Sequence, residues 1–297
     1  MGRVLAVVGV FGVLAGAPSR GDGGQLDPAA GAPAKVGERR RWRFEESLRQ
    51  RLERTFPGEP EPRVLESFER VLAILVDEVL EVRDGKPTRV RLTIERWERA
   101  AGERPEGRLQ ADASLTGRVA VLQAADGTWT LEPALPEPSG AARRFLDRQA
   151  GRWRPGGDVA AIDSAFLPAR PVREGERWDA AARVAPLAPG APFTAIDRPR
   201  SKVTAKLQAL GATSATTTLE GVLQLAEIPG TSDRFDEDGA CQVSGRATWP
   251  VERRPSEGTG TLTQKVEGAA EGRLPDGLTY RTAASIERVL RWGIASD

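Results

Sequence analysis

In 297 residues the chain has no histidine, one cysteine (Cys241), one tyrosine (Tyr280), one methionine and five lysines. Without histidine, Ser-His-Asp and Cys-His nucleophiles are excluded, as is any His-ligated metal site. One cysteine forbids an internal disulfide framework. No lysine stands in a Ser-x-x-Lys phrase, and no Gly-x-Gly-x-x-Gly or phosphate loop is present. An excess of either charge is missing too. The 43 Lys+Arg against 42 Asp+Glu leave a formal charge of +1, so bulk charge points to no nucleic-acid partner. Hydrophobic residues at 39% and charged residues at 29% describe a globular chain, and no later apolar run is long enough to span a bilayer. These absences leave carboxylate chemistry as the main catalytic option, and they point to no cofactor.

The N-terminus carries the clearest signal of place. Arg3 precedes an apolar run, Val4 to Ala15, and Ala15-Gly16-Ala17 offers small residues at signal-peptidase spacing. A signal peptide over 1–17 is predicted, with a short buried helix as the alternative. Pro18 is a poor residue just after a cut, so cleavage elsewhere stays open. No cysteine follows to take a lipid. Residues 18–36, rich in Gly, Pro and Ala, read as a disordered tether. The expectation is an exported protein, periplasmic or extracellular, soluble after cleavage and without a transmembrane segment.

Beyond the tether the dominant period is two, the signature of a sheet with one buried face. Cys241, Val243, Gly245, Ala247 and Trp249 alternate with Gln242, Ser244, Arg246 and Thr248. Val203, Ala205, Leu207 and Ala209 alternate with Lys202, Thr204, Lys206 and Gln208. Leu109 to Val121 reads as one strand with Leu115, Gly117, Val119 and Val121 inward, and 278–292 as a closing strand. One solvated face requires an antiparallel sheet. Turn signals stand at Asp84-Gly85, Asp126-Gly127, Leu210-Gly211-Ala212 and Asp276-Gly277. The stretches 44–56 and 64–82 fit both the helical and the strand period; they are taken as strands because their hairpin partner, 88–97, is unambiguous. Ser139 to Gly151 reads as a helix, with Ala142, Phe145, Leu146 and Gln149 on its apolar stripe. The fold class predicted is mainly β: a long, curved antiparallel sheet, as a half-barrel or two lobes, with one helix between them. Its parts are a first lobe over 37–135, a helical connector over 136–157 and a second lobe over 158–297.

Two phrases recur. Val36-Gly37-Glu38-Arg39, with Trp42 following, is echoed by Gly175-Glu176-Arg177-Trp178, and each opens a set of strands. Duplication and chance both account for it. The longer phrase Leu167-Pro168-Ala169-Arg170-Pro171-Val172-Arg173-Glu174-Gly175-Glu176-Arg177-Trp178 resembles the Leu-Pro-x-x-Pro-Val-x-x-Gly-(Asp/Glu)-x-Trp phrase of uncharacterised exported bacterial β-sheet proteins. The hairpin Val79-Leu80-Glu81-Val82-Arg83-Asp84-Gly85-Lys86-Pro87-Thr88-Arg89-Val90 is similar to theirs as well. The resemblance implies an exported β fold and brings no catalytic residues. In shape alone, a curved sheet with a helix across its mouth is similar to the lipoprotein-carrier half-barrels of the bacterial envelope.

Seven tryptophans are the main large apolar bodies. Core filling is their ordinary role; a pocket for an apolar ligand is the sharper one. Trp97, Trp129, Trp249 and Phe145 are the candidate ligand-binding residues, with no catalytic residue and no metal ligand assigned. Asp233, Asp236, Glu237 and Asp238, followed by Gly239, read as a solvated acidic loop that fails the EF-hand pattern. The charges from Glu38 to Arg54 read as a solvated sheet face. The leading expectation is a non-enzymatic exported carrier of a lipid or other apolar ligand of the cell envelope. The alternative is a structural or interaction module with a self-filled core and an envelope protein partner, and a carboxylate-based hydrolase stands third.

Overall fold

The computed structural model describes residues 25–26, 35–84, 86–103, 110–123, 128–132, 138, 140–153, 165–189, 195–229, 231, 233–251, 258–275 and 277–294. The predicted signal peptide, most of the predicted tether, Ser139 and the Asp126-Gly127 turn lie outside them.

Six strands precede the helix in the main sheet: β2 (Arg39–Thr55), β3 (Arg63–Arg83), β4 (Lys86–Gly102), β5 (Gln110–Asp112), β6 (Arg118–Gln123) and β7 (Thr128–Glu132). The helix α1 spans Gly140–Trp153. Six more strands follow: β9 (Arg177–Asp179), β10 (Ile196–Leu210), β11 (Ser214–Glu227), β12 (Arg234–Pro250), β13 (Thr259–Arg273) and β14 (Thr279–Ile294). They form one 12-stranded sheet, ordered β7-β6-β4-β3-β2-β14-β13-β12-β11-β10-β9, with β5 also paired to β4. Every pairing is antiparallel. The sheet is large and curved with a small closed barrel-like part, so the predicted fold class holds. Both ambiguous stretches are strands, because tertiary pairing on either side settles what the period leaves open. The two halves meet where β14 pairs β2 from Arg281↔Thr55 to Ile294↔Trp42.

Local chemistry sets the turns. Arg83 pairs Lys86, and Asp84 at that reversal takes φ 50. The recurring phrase gives two turns of matching geometry. Gly37 has φ 82 and donates to Val79 O at 2.8 Å, while Glu38 O accepts from Val79 N at 2.9 Å. Gly175 has φ 85 and donates to Leu207 O at 2.8 Å, while Glu176 O accepts from Leu207 N at 3.0 Å. In each, the glutamate carboxylate also accepts from the backbone three residues back: Lys35 N at 3.2 Å, Arg173 N at 2.8 Å. Three matched hydrogen bonds about a left-handed glycine explain why both copies keep Gly-Glu.

Some expectations are corrected. The run 109–121 is two strands, β5 and β6, separated by a turn at Ser114–Gly117. That turn changes the parity: β6 sends Arg118, Ala120 and Leu122 inward rather than Val119. A register shift between Leu207 and Ala209 leaves Ala209 exposed. Within the stretch read as tether, Gln25–Leu26 form β1, which pairs β8 (Val172–Arg173) and buries Leu26 in the core.

The core has two parts. One gathers β3, β4, β6 and β7 around Ala142, Phe145 and Leu146 of α1. The other gathers β10 to β14 under residues 165–188, which include the short helix α2 (Ala181–Val184). Phe44 of β2 packs against both.

Candidate functional site

The inner face of β2 explains the site's layout. Residues of one parity, Arg40, Trp42, Phe44, Glu46, Leu48, Gln50 and Leu52, share that face because successive strand side chains alternate. Trp42 and Phe44 join the first core. Arg40 and Glu46 carry charge on either side of them, and each has an inward partner. Arg40 Nη2 lies 2.6 Å from Asp77 Oδ2, whose side chain is 3% exposed. Arg288 Nε donates to Glu46 Oε1 at 2.7 Å, with both side chains 12% exposed. Arg288 Nη1 also donates to Leu187 O at 2.7 Å, tying the segment over the second half to the seam. Two sheltered ion pairs therefore bound an aromatic floor; of the charges read as a solvated face over 38–54, Arg40 and Glu46 turn inward, while Arg39, Arg43, Arg49 and Arg51 are exposed. The available signal was parity: Arg40 and Glu46 fall in step with Trp42, Phe44 and Leu48.

Between those pairs the floor is apolar. Trp97 is fully buried, and its indole N–H has no hydrogen-bond partner among the described residues. Phe145 of α1 lies 6.2 Å from Trp97 and 6.4 Å from Phe44, ring centre to ring centre. Trp129 packs at the side and donates Nε1–H to Asp147 Oδ1 at 2.6 Å, fastening β7 to the helix. The structure thus brings Trp97, Trp129 and Phe145 together. Trp249 lies apart, in the core of the second half. There the inner face is occupied by Phe166, whose ring stacks 5.6 Å from Trp292 and reaches over Gly245, where a Cβ would stand 2.7 Å from Phe166 Cζ. The small inward residue admits the chain's own segment.

Polar groups also punctuate the second inner face. Gln264 stands opposite Arg288 in the β13–β14 register and is fully buried, and among the described residues neither of its amide atoms has a hydrogen-bond partner. Burial pushes the Cys241 thiol up to about 12, with the positive charge of Arg288 opposing. That makes Cys241 a buried apolar residue rather than a reactive thiol.

The predicted acidic loop is not a loop. Asp236 to Gly239 belong to β12, in the register break between Phe235 and Ala240, and Asp233 just before it is 5% exposed. Asp233 accepts from Tyr280 Oη at 2.7 Å and from Thr282 Oγ1 at 3.1 Å, and Arg54 Nη2 stands 3.7 Å away. The Asp233 hydrogen bond, then burial and the carboxylate charge, raise the Tyr280 pKa. Beside this network lies an open groove of about 390 Å³, lined by Thr55, Phe56, Pro57, Asp236, Glu271, Thr279, Tyr280 and Arg281. Among the described residues no group of three His, Cys, Asp or Glu side chains converges as a metal site, and no helix is long and apolar enough to cross a membrane.

No family model matches the chain, and no curated protein matches its sequence. Among solved structures it is similar in shape to lipovitellin, from work on lipid–protein interactions in that protein, with a TM-score of 0.36 and 8% identity. The match covers 88% of this chain and 25% of that one, so the chain spans about a quarter of the length of that protein.

Proposed function

We propose that the protein is a non-enzymatic exported binding protein that holds an apolar, lipid-like ligand of the cell envelope against the inner face of its sheet, with α1 as lid. The observation that carries this reading is the cover over the first half. A single 14-residue helix closes an aromatic floor of Trp42, Phe44 and Trp97, burying Ala142, Phe145, Leu146 and Gln149. A lid held by few side chains can lift, because sub-global opening is least costly where buried contacts are few. Lifted, α1 exposes an apolar surface bounded by charge at both ends, which suits a molecule with an apolar body. Trp97, Trp129 and Phe145 are assigned to the ligand; Trp249 is assigned to the second lobe. The halves act as lobes at 37–135 and 158–297, joined by the connector at 136–157, and residues 1–17 direct export.

One observation favours a second reading, a self-filled structural or interaction module of the envelope. Residues 165–188 already occupy the second inner face, with Phe166 seated over Gly245. Native mass spectrometry of the protein purified without detergent separates the two. The carrier reading expects a co-purifying lipid mass and uptake of a fluorescent fatty acid that quickens in Asp147→Ala, where the Trp129 tie is cut. A bare polypeptide mass together with no uptake by either form leaves the self-filled module.

A further inference from the structure

We infer that the groove at the Tyr280 end of the sheet is a second, independent binding site, and that it takes a neutral saccharide. Its floor is built rather than incidental. Tyr280 lies flat on β13 because residue 272 is glycine; a Cβ there would meet Tyr280 Cζ at 2.2 Å. The buried Asp233 fixes the hydroxyl from beneath at 2.7 Å, and Phe56 packs at 5.4 Å, ring centre to ring centre. A sheltered carboxylate that accepts from both Tyr280 and Thr282 preorganises the ring.

The lining then selects by chemistry. Phe56, Pro57 and Tyr280 form a wall whose rings also carry guanidinium groups, Arg54 at 5.3 Å from the Tyr280 ring centre and Arg63 at 4.6 Å from that of Phe56, and Thr55 and Thr279 supply hydroxyls. Asp236 and Glu271 supply acceptors and Arg281 donors, with Arg281 Nη2 at 3.8 Å from Asp236 Oδ2. A polycation meets Arg281, and an anion meets both carboxylates. A wholly apolar ligand strips water from three charged side chains with nothing in return, which is costly. A sugar ring presents apolar C–H groups to the wall and adjacent hydroxyls that donate to the carboxylates and accept from the guanidinium. The groove is of the size that small-ligand sites occupy, and it is open enough for one unit of a longer chain to lie across it.

The test is saturation-transfer NMR on the whole protein with cellobiose and N,N′-diacetylchitobiose, run beside spermidine, glucuronate and decanoate. Binding of a neutral disaccharide is expected, weakened by about tenfold in Glu271→Gln, which removes a charged acceptor. Phe56→Ser is expected to abolish it, and Asp147→Ala, at the far helix, to leave it unchanged. Thermal unfolding checks that each variant is folded; if Phe56→Ser is not, Glu271→Gln and Asp236→Asn decide. Absence of both disaccharides, a preference for spermidine, or equal binding in the groove variants overturns the proposal.

Discussion

At the scale of single residues, the inward charges are the most exposed to test. Glu46 and Arg288 are sheltered together, so their mutual attraction and the Leu187 carbonyl offset a desolvation cost. Removing the Glu46 carboxylate leaves the sheltered Arg288 charge to the Leu187 carbonyl. Glu46→Ala is expected to lower unfolding stability by about 3–5 kcal/mol, and Glu46→Leu with Arg288→Met to recover most of it, as read by urea titration. Tyr280 makes a prediction about pH. Its pKa is raised by the hydrogen bond to Asp233 from an ordinary value of 10.0. A raised pKa contributes stability that is fully present below the unfolded value and is lost as pH rises through the folded one. The natural protein should therefore lose stability more steeply above pH 10 than Tyr280→Phe. Cys241 titrates in the same range but is common to both proteins, so the difference between them reads Tyr280 alone.

At the scale of elements, the paired Gly-Glu turns yield a matched prediction. A Cβ at Gly37 or Gly175 meets nothing within 4 Å, so substitution costs only the left-handed backbone. Gly37→Ala and Gly175→Ala should each lower stability by about 1–2 kcal/mol in thermal or urea unfolding. Unequal losses would show that the turns carry different loads. Strands and hairpins were largely readable from sequence, since period two and an Asp-Gly turn are local signals, and α1 was readable from its stripe of Ala142, Phe145 and Leu146. Other features depend on partners far along the chain. Nothing near Glu46 announces Arg288, 242 residues away. Nothing in 165–188 has a period, because that segment is shaped by the inner face it covers. A short turn at Ser114–Gly117 was enough to invert the inward set of β6. The site followed the same rule: Trp97, Trp129 and Phe145 converge through hairpin and helix, whereas Trp249 shares their residue type and not their place.

At the scale of the whole molecule, the end strands of the sheet among the described residues are β7 and β9, with β5 paired on one side to β4, and the longer neighbour of β9 is protected at its open end. Asp197-Arg198-Pro199-Arg200 put charge and a missing N–H where another chain would otherwise add a strand. The middle of the sheet is the opposite case. There β14 fills the gap between β13 and β2, and without it both become bare edges. Truncation before Thr279 is therefore expected to give soluble aggregates rather than monomer on refolding, as judged by size-exclusion chromatography.

That arrangement also sets a timetable. The strand emerging earliest in the main sheet must wait beside the one emerging last, so during synthesis β2 has one flank open until β14 has left the ribosome. Pairings so distant along the chain form slowly. A nascent chain of this kind depends on whatever shields it in the interval, and its yield in a cell is governed by that wait as much as by the stability of the finished sheet.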